Sequence, residues 1–214
     1  MGKKYDAVIL DVDGTLWDST PVVAKAWESA IRDSLSMDRP VTPDELKGHF
    51  GKPMDVIARD MLPELDEDSR QLIMEKCCEY EQKALEENTI DLCYPLVRET
   101  IIEMSKSIPI CIVSNCQAGY IELFMEKNGL TDHITDTLCF GDNGEVKADN
   151  LRILSERNGY KTPVYVGDTA GDLASCIEAG VPMIWASYGF GNVDKSQIAG
   201  ELTGFSDLSD YFPV

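Results

Sequence analysis

Ala7-Val8-Ile9-Leu10-Asp11-Val12-Asp13-Gly14-Thr15 decides how the rest of the chain is read. Four consecutive apolar residues show no polar–apolar alternation, so both faces of this segment are expected to be buried, as in a strand of a parallel sheet. The run stops on acids and a glycine, which are turn-forming residues. Asp11 and Asp13 therefore stand at the carboxyl end of a strand. Runs of the same character occur at 108–113, 164–166 and 181–185, with a weaker one at 137–140. Helical patterns lie between them, over 96–106, 120–128, 149–158 and 172–178. Asn128-Gly129, Asn158-Gly159 and Ala179-Gly180 are fitting helix stops. Strands alternating with helices imply right-handed crossovers and a parallel sheet.

Residues 17–90 break the alternation. Thr20-Pro21 opens a helix running to Leu35, and Thr42-Pro43-Asp44-Glu45 has the spacing of a capping box. A long helix is expected over 68–87, with Ile73, Cys77, Tyr80 and Ala84 on one seam. The expected organisation is a core of 1–16 and 91–214, interrupted by an all-helical insertion of 17–90.

The remaining composition narrows the partners. The chain of 214 residues carries 19 Lys plus Arg against 38 Asp plus Glu, a formal net charge of -19, and its longest basic run is Lys3-Lys4. Such a surface repels nucleic acid and anionic lipid. No apolar run approaches the ~20 residues of a membrane helix, and the opening Met-Gly-Lys-Lys-Tyr-Asp lacks the apolar stretch of a secretory signal. A soluble cytoplasmic protein, monomer or homodimer, is expected. Cys77, Cys78, Cys93, Cys111, Cys116, Cys139 and Cys176 are odd in number, irregularly spaced and without a CxxC, which favours free thiols over a disulfide framework or a zinc site.

In open parallel sheets, ligands bind beyond the carboxyl ends of the strands. Four features converge there: Asp11 and Asp13; Ser114-Asn115 after the second long apolar run; Gly167-Asp168-Thr169-Ala170-Gly171-Asp172; and Lys147, which opens a helix after Gly141-Asp142-Asn143-Gly144. Singly, each has an ordinary reading as a turn former, a first-turn helix acid or a solvated lysine. Their joint occurrence at strand ends points to a site. Clustered carboxylates repel unless a cation sits among them, and oxygen-only ligands favour Mg²⁺. Ser114 and nearby amides can hold phosphate oxygens, and Lys147 supplies fixed positive charge. A calcium loop does not fit, because the D-x-[DN]-x-[DN]-G pattern is absent and position 12 of a loop that starts at Asp11 is Val22, not Glu. No GxxxxGK[ST] or GxGxxG occurs.

These residues resemble the motifs of the haloacid dehalogenase superfamily, in its phosphoglycolate phosphatase-like and β-phosphoglucomutase-like group with a helical cap. Asp11-Val12-Asp13-Gly14-Thr15-Leu16 resembles the first motif, Ile112-Val113-Ser114-Asn115 the second, Lys147 the third and Val166-Gly167-Asp168-Thr169 with Asp172 the fourth. Ala148 departs from the proline usual after the motif lysine. The resemblance implies an α/β fold, a Rossmann-like three-layer parallel sheet core with an inserted all-helical cap domain. It implies Asp11 as nucleophile, Asp13 as general acid and base, and Mg²⁺ on Asp11, the Asp13 carbonyl and Asp168. Ser114, Asn115 and Lys147 would hold the phosphoryl group, with Asp172 orienting Lys147 or a metal-bound water. The Gly48-His49-Phe50-Gly51-Lys52-Pro53 loop would read the leaving group, with Lys52 meeting a second anion. The expected function is Mg²⁺-dependent hydrolysis of a small phosphorylated metabolite. A sugar phosphomutase on the same machinery, or a phosphate- or metal-binding module without turnover, are the alternatives.

Overall fold

A computed structural model describes residues 5–212; Lys3-Lys4 lies outside them. In chain order the elements are β1 (Ala7–Leu10); the helices α1 (Thr20–Leu35), α2 (Pro43–Lys47), α3 (Met54–Met61) and α4 (Glu67–Glu87); then α5 (Val97–Met104), β2 (Ile110–Ser114), α6 (Tyr120–Asn128), β3 (Asp136–Cys139), α7 (Phe140–Asn143), α8 (Lys147–Asn158), β4 (Pro163–Gly167), α9 (Ala170–Ala179), β5 (Met183–Ala186) and β6 (Gly200–Leu202). The strands form one parallel sheet in the order β3-β2-β1-β4-β5-β6, with helices on both sides. The winding runs one way through β2 and β3 and the other way through β4, β5 and β6. It reverses at β1, where a parallel sheet opens a crevice for ligands.

β1 is buried at all four residues. Val8, Ile9 and Leu10 each contribute roughly 1.5–3 kcal/mol of burial, so the backbone that carries Asp11 is rigidly held. Ile9 belongs to one buried cluster with Cys111, Val113, Tyr165 and Met183 of other strands and with Leu151, Leu154, Leu173 and Cys176 of α8 and α9. The glycines at 129, 159 and 180 end α6, α8 and α9 in the left-handed conformation.

The chain divides into two compact units, Met1–Asp18 with Cys93–Val214, and Ser19–Leu92. The helical unit therefore begins and ends two residues later than the 17–90 read from the sequence. Within it α1 packs along α4, and Thr42 caps α2 by accepting the Glu45 amide at 3.2 Å. The buried seam of α4 runs Ile73, Cys77, Glu81, Leu85, not through Tyr80 and Ala84. It follows a single i, i+4 ridge along the neighbouring helix. An acid is tolerated on this seam because Trp27 Nε1 donates to Glu81 Oε2 at 2.7 Å.

Two further differences are local. Phe140 starts α7 rather than ending a strand, since the Asp142 carboxylate accepts the Cys139 amide at 2.7 Å and turns the chain into a helix. β6 has only three residues and one buried side chain, too little for a sequence pattern. It forms because β5 offers an open edge, pairing Ile184, Trp185 and Ala186 with Gly200, Glu201 and Leu202.

Candidate active site

Asp11 is the first residue past β1. Its amide donates to the Val166 carbonyl at 2.9 Å, so the β1–β4 ladder continues one step into the site. Its Oδ1 accepts from Lys147 Nζ at 3.0 Å, and Asp11 and Lys147 side chains are 2 % and 1 % exposed. Lys147 is the first residue of α8, reaches over the Tyr165 ring, and also donates to Asp172 Oδ1 at 2.5 Å. A buried ammonium between carboxylates persists only because both partners are in hydrogen-bond contact.

Asp172 does two things at once. Its Oδ2 accepts the Thr169 amide at 2.9 Å and the Thr169 hydroxyl at 2.7 Å, while Thr169 Oγ1 accepts the Asp172 amide at 3.1 Å, which starts α9 as a capping box. Its Oδ1 holds Lys147. The ordinary reading of this acid and the functional one are both present, on different oxygens.

Asp168 follows β4 and is fully buried. Its Oδ2 accepts the Phe190 amide at 2.6 Å, and Trp185 Nε1 donates to its carbonyl at 3.0 Å. Gly14 and Gly189 close around the carboxylate: a Cβ on either would overlap Asp168 Oδ2, and Gly14 has φ +77°. Only glycine fits a backbone so near a carboxylate. Asp168 Oδ1 is buried and has no hydrogen-bond partner among the described residues. A buried oxygen without a donor requires a physical reason.

That reason is charge. One carboxylate oxygen from each of Asp11, Asp168 and Asp172 lies within 4.8 Å of the others. Burial, offset by Lys147 and reinforced by Asp172, pushes the Asp11 carboxyl up to about 6. Burial, with the charges of Asp172 and Asp11, pushes Asp168 well above the ordinary range. Burial also works to raise Asp172, but the Lys147 charge and the hydrogen bonds from Lys147 and Thr169 outweigh it and leave it low. Burial alone would lower Lys147; Asp11 and Asp172 hold it above its ordinary value. One ammonium thus faces three carboxyl groups, and the donor set, oxygen only with one oxygen unsatisfied, fits a hard divalent cation.

Asp13 lies beyond this cluster. Its Oδ1 accepts from Tyr120 Oη at 2.8 Å and from Trp17 Nε1 at 3.0 Å. Ser114 is the buried last residue of β2, on the strand beside β1, and Asn115 follows it, so both stand at the same carboxyl edge of the sheet. Lys52 belongs to the helical unit, where its ammonium pairs with Asp60 Oδ2 at 2.8 Å and His49 Nδ1 lies 3.7 Å from the same oxygen.

Residues 8–186 match the family described as haloacid dehalogenase-like hydrolase. This chain belongs to the haloacid dehalogenase-like hydrolases. The phosphoglycolate phosphatase of Chromobacterium violaceum is 28 % identical over 210 residues, covering 94 % of this chain and 92 % of that protein. Among solved structures, a predicted phosphoglycolate phosphatase from Haemophilus somnus superposes with a TM-score of 0.85 at 20 % identity, covering 97 % of each chain. CbbY from Rhodobacter sphaeroides, solved with xylulose-1,5-bisphosphate, gives 0.81 at 17 % identity, covering 98 % of this chain and 100 % of that one. In this hydrolase the sequence motifs account for Asp11, Lys147, Asp168 and Asp172. They do not account for Trp17, Tyr120, Trp185, Gly189 or Phe190. The pattern Tyr188-Gly189-Phe190-Gly191, three residues past the apolar run of 181–185, was the available signal for the last two.

Proposed function

We propose that this chain is a Mg²⁺-dependent phosphatase of small phosphomonoesters that works through an aspartyl-phosphate. The observation that carries the reading is the buried Asp11 carboxylate, held by Lys147 and clustered with Asp168, whose Oδ1 has no hydrogen-bond partner among the described residues, in a member of this hydrolase family. Asp11 attacks phosphorus while the ester oxygen leaves, so one P–O bond forms as another breaks. Asp13 gives its proton to the departing oxygen. It then takes a proton from the water that attacks the phospho-enzyme, which frees inorganic phosphate and restores Asp11. Ser114, the Asn115 amide and Lys147 hold the phosphoryl oxygens, and Asp172 keeps Lys147 in place. Asp11, the Asp13 carbonyl and Asp168 would hold Mg²⁺, which when bound neutralises charge on the transferring group. The helical unit acts as the cap that excludes water and selects substrate, with Lys52 reading a second anionic group.

Phosphoglycolate, named for the Chromobacterium relative, is the first compound to test. Purified protein with Mg²⁺ is screened against phosphorylated metabolites, including hexose 1-phosphates, with free phosphate as the readout. Release of phosphate that EDTA stops, Mg²⁺ restores and Asp11→Asn abolishes is the expected result. Isomerised sugar phosphate without free phosphate would establish the mutase instead. Turnover that survives in Asp11→Asn above a tenth of wild type would remove the nucleophile assignment.

A further inference from the structure

Trp17 and Tyr120 both donate hydrogen bonds to Asp13, and the mechanism above does not use them. Both are buried, at 2 % and 1 % exposure. They reach Asp13 from different segments. Trp17 follows the turn after β1, where its carbonyl accepts the Gly14 amide at 2.9 Å and its amide donates to Val12. Tyr120 is the first residue of α6, just beyond the Ser114-Asn115 strand end. Their rings meet edge to face at 5.7 Å, and Phe124 packs on Trp17 in the same way at 5.1 Å. Neither donor can swing away without breaking that aromatic packing. Both hydrogen bonds end on a single atom, Asp13 Oδ1.

Two donors on one carboxylate oxygen occupy its two lone-pair directions. A carboxyl group so held keeps one rotamer, and its exchangeable proton sits on the other oxygen. We propose that Trp17 and Tyr120 are positioning residues for proton transfer, locking the Asp13 side chain so that Oδ2 is the oxygen that delivers and collects the proton. This rests on the reading of Asp13 as acid and base. The proton leaves Oδ2 for the ester oxygen as its bond to phosphorus breaks, and returns to Oδ2 from the attacking water. Oδ1 remains an acceptor throughout, so the two aromatic donors need not move during the cycle. Trp17 is the more deeply tied of the two, since its backbone also bridges the Asp13 and Cys93 segments.

The test separates positioning from mere structure by the leaving group. The ratio kcat/KM reports steps through departure of the leaving group. A nitrophenolate departs with little help, whereas an alkoxide needs a proton. Acid catalysis of this kind contributes about 10²–10⁴-fold. Wild type, Asp13→Asn, Tyr120→Phe and Trp17→Phe are compared on p-nitrophenyl phosphate and on the best alkyl phosphate of the screen, with circular dichroism to confirm folding. Tyr120→Phe keeps the ring and its packing. It is expected to lose about tenfold more kcat/KM on the alkyl ester than on the aryl ester, with Trp17→Phe in the same direction and Asp13→Asn showing the largest split. A split in Asp13→Asn with equal losses on both esters in Tyr120→Phe and Trp17→Phe overturns the proposal and leaves Asp13 as the acid. Equal losses in Asp13→Asn overturn the acid assignment itself, and the proposal with it.

Discussion

At the scale of the residue, one position in the core unit is held against its own preference. Leu96, at the start of α5, has φ +64° and is 54 % exposed. An L-residue in the left-handed region costs roughly 1–2 kcal/mol, and only Gly, or Asn through its short polar side chain, escapes most of that. The exposed side chain returns little through burial. Leu96→Gly or Leu96→Asn should therefore stabilise by about 0.5–1 kcal/mol, allowing for glycine's larger unfolded-state entropy. Leu96→Val should destabilise, because a β-branched residue fits this region worst. Thermal melts of the three variants check the order, at about 2–4 °C per kcal/mol for a chain of this size; a glycine variant that melts lower than valine would refute the strain. Residues of the candidate site differ in how far their placement was legible. Asp11, Asp168 and Asp172 could be read because turn chemistry at a strand end forces them to one edge. The Trp17, Tyr120 and Trp185 contacts could not, because each depends on where a ring lands after folding; Tyr120 reaches Asp13 across 107 residues of chain.

At the scale of the element, strands buried on both faces were the most legible, since an unbroken apolar run has few other uses. β6 was not, because its existence depends on the edge of β5 rather than on its own three residues. The α4 seam was half legible: the helix and its first two buried positions follow from periodicity, but burial of Glu81 depends on a donor from α1. One pair fastens α8 to the sheet. Arg157 donates from Nε to Asp136 Oδ2 at 2.6 Å and from Nη2 to Oδ1 at 2.5 Å, and also reaches the Thr137 carbonyl at 2.7 Å. Partial burial works to raise the Asp136 carboxyl, but hydrogen bonds from Arg157 and Asn158 outweigh it and hold it below its ordinary value. A depressed folded-state value means that this stabilisation is complete above the unfolded value of about 3.9 and disappears as pH falls through the lower folded value. Asp136→Asn should thus melt below wild type at pH 7, with the gap closing in acid. A gap that persists unchanged to pH 2 would show that packing, not the ion pair, sets it.

At the scale of the whole molecule, the formal charge of -19 and the chemistry of the site pull against each other. No helix among the described residues is long and apolar enough to cross a membrane. A phosphate ester, the proposed substrate, would be repelled by such a surface, and the cation proposed to hold it lies inside: Lys147 is 1 % exposed and already bonded to Asp11 and Asp172. On that proposal, a buried charge of that kind would stabilise a bound phosphoryl group but projects little field past a Debye length of about 8 Å at physiological salt. Association is therefore expected to proceed without electrostatic steering, in contrast to enzymes whose basic clefts gather anionic substrates. Screening should relieve repulsion rather than remove attraction. Raising KCl from about 50 mM to 500 mM at fixed saturating Mg²⁺ should leave kcat/KM level or raise it by less than about threefold. The measurement uses the best ester of the screen, with ionic strength the sole variable and Mg²⁺ occupancy checked by a second Mg²⁺ concentration. A fall of tenfold over that range would mean that a basic approach path exists, and that the surface acids are arranged around it rather than spread across the molecule.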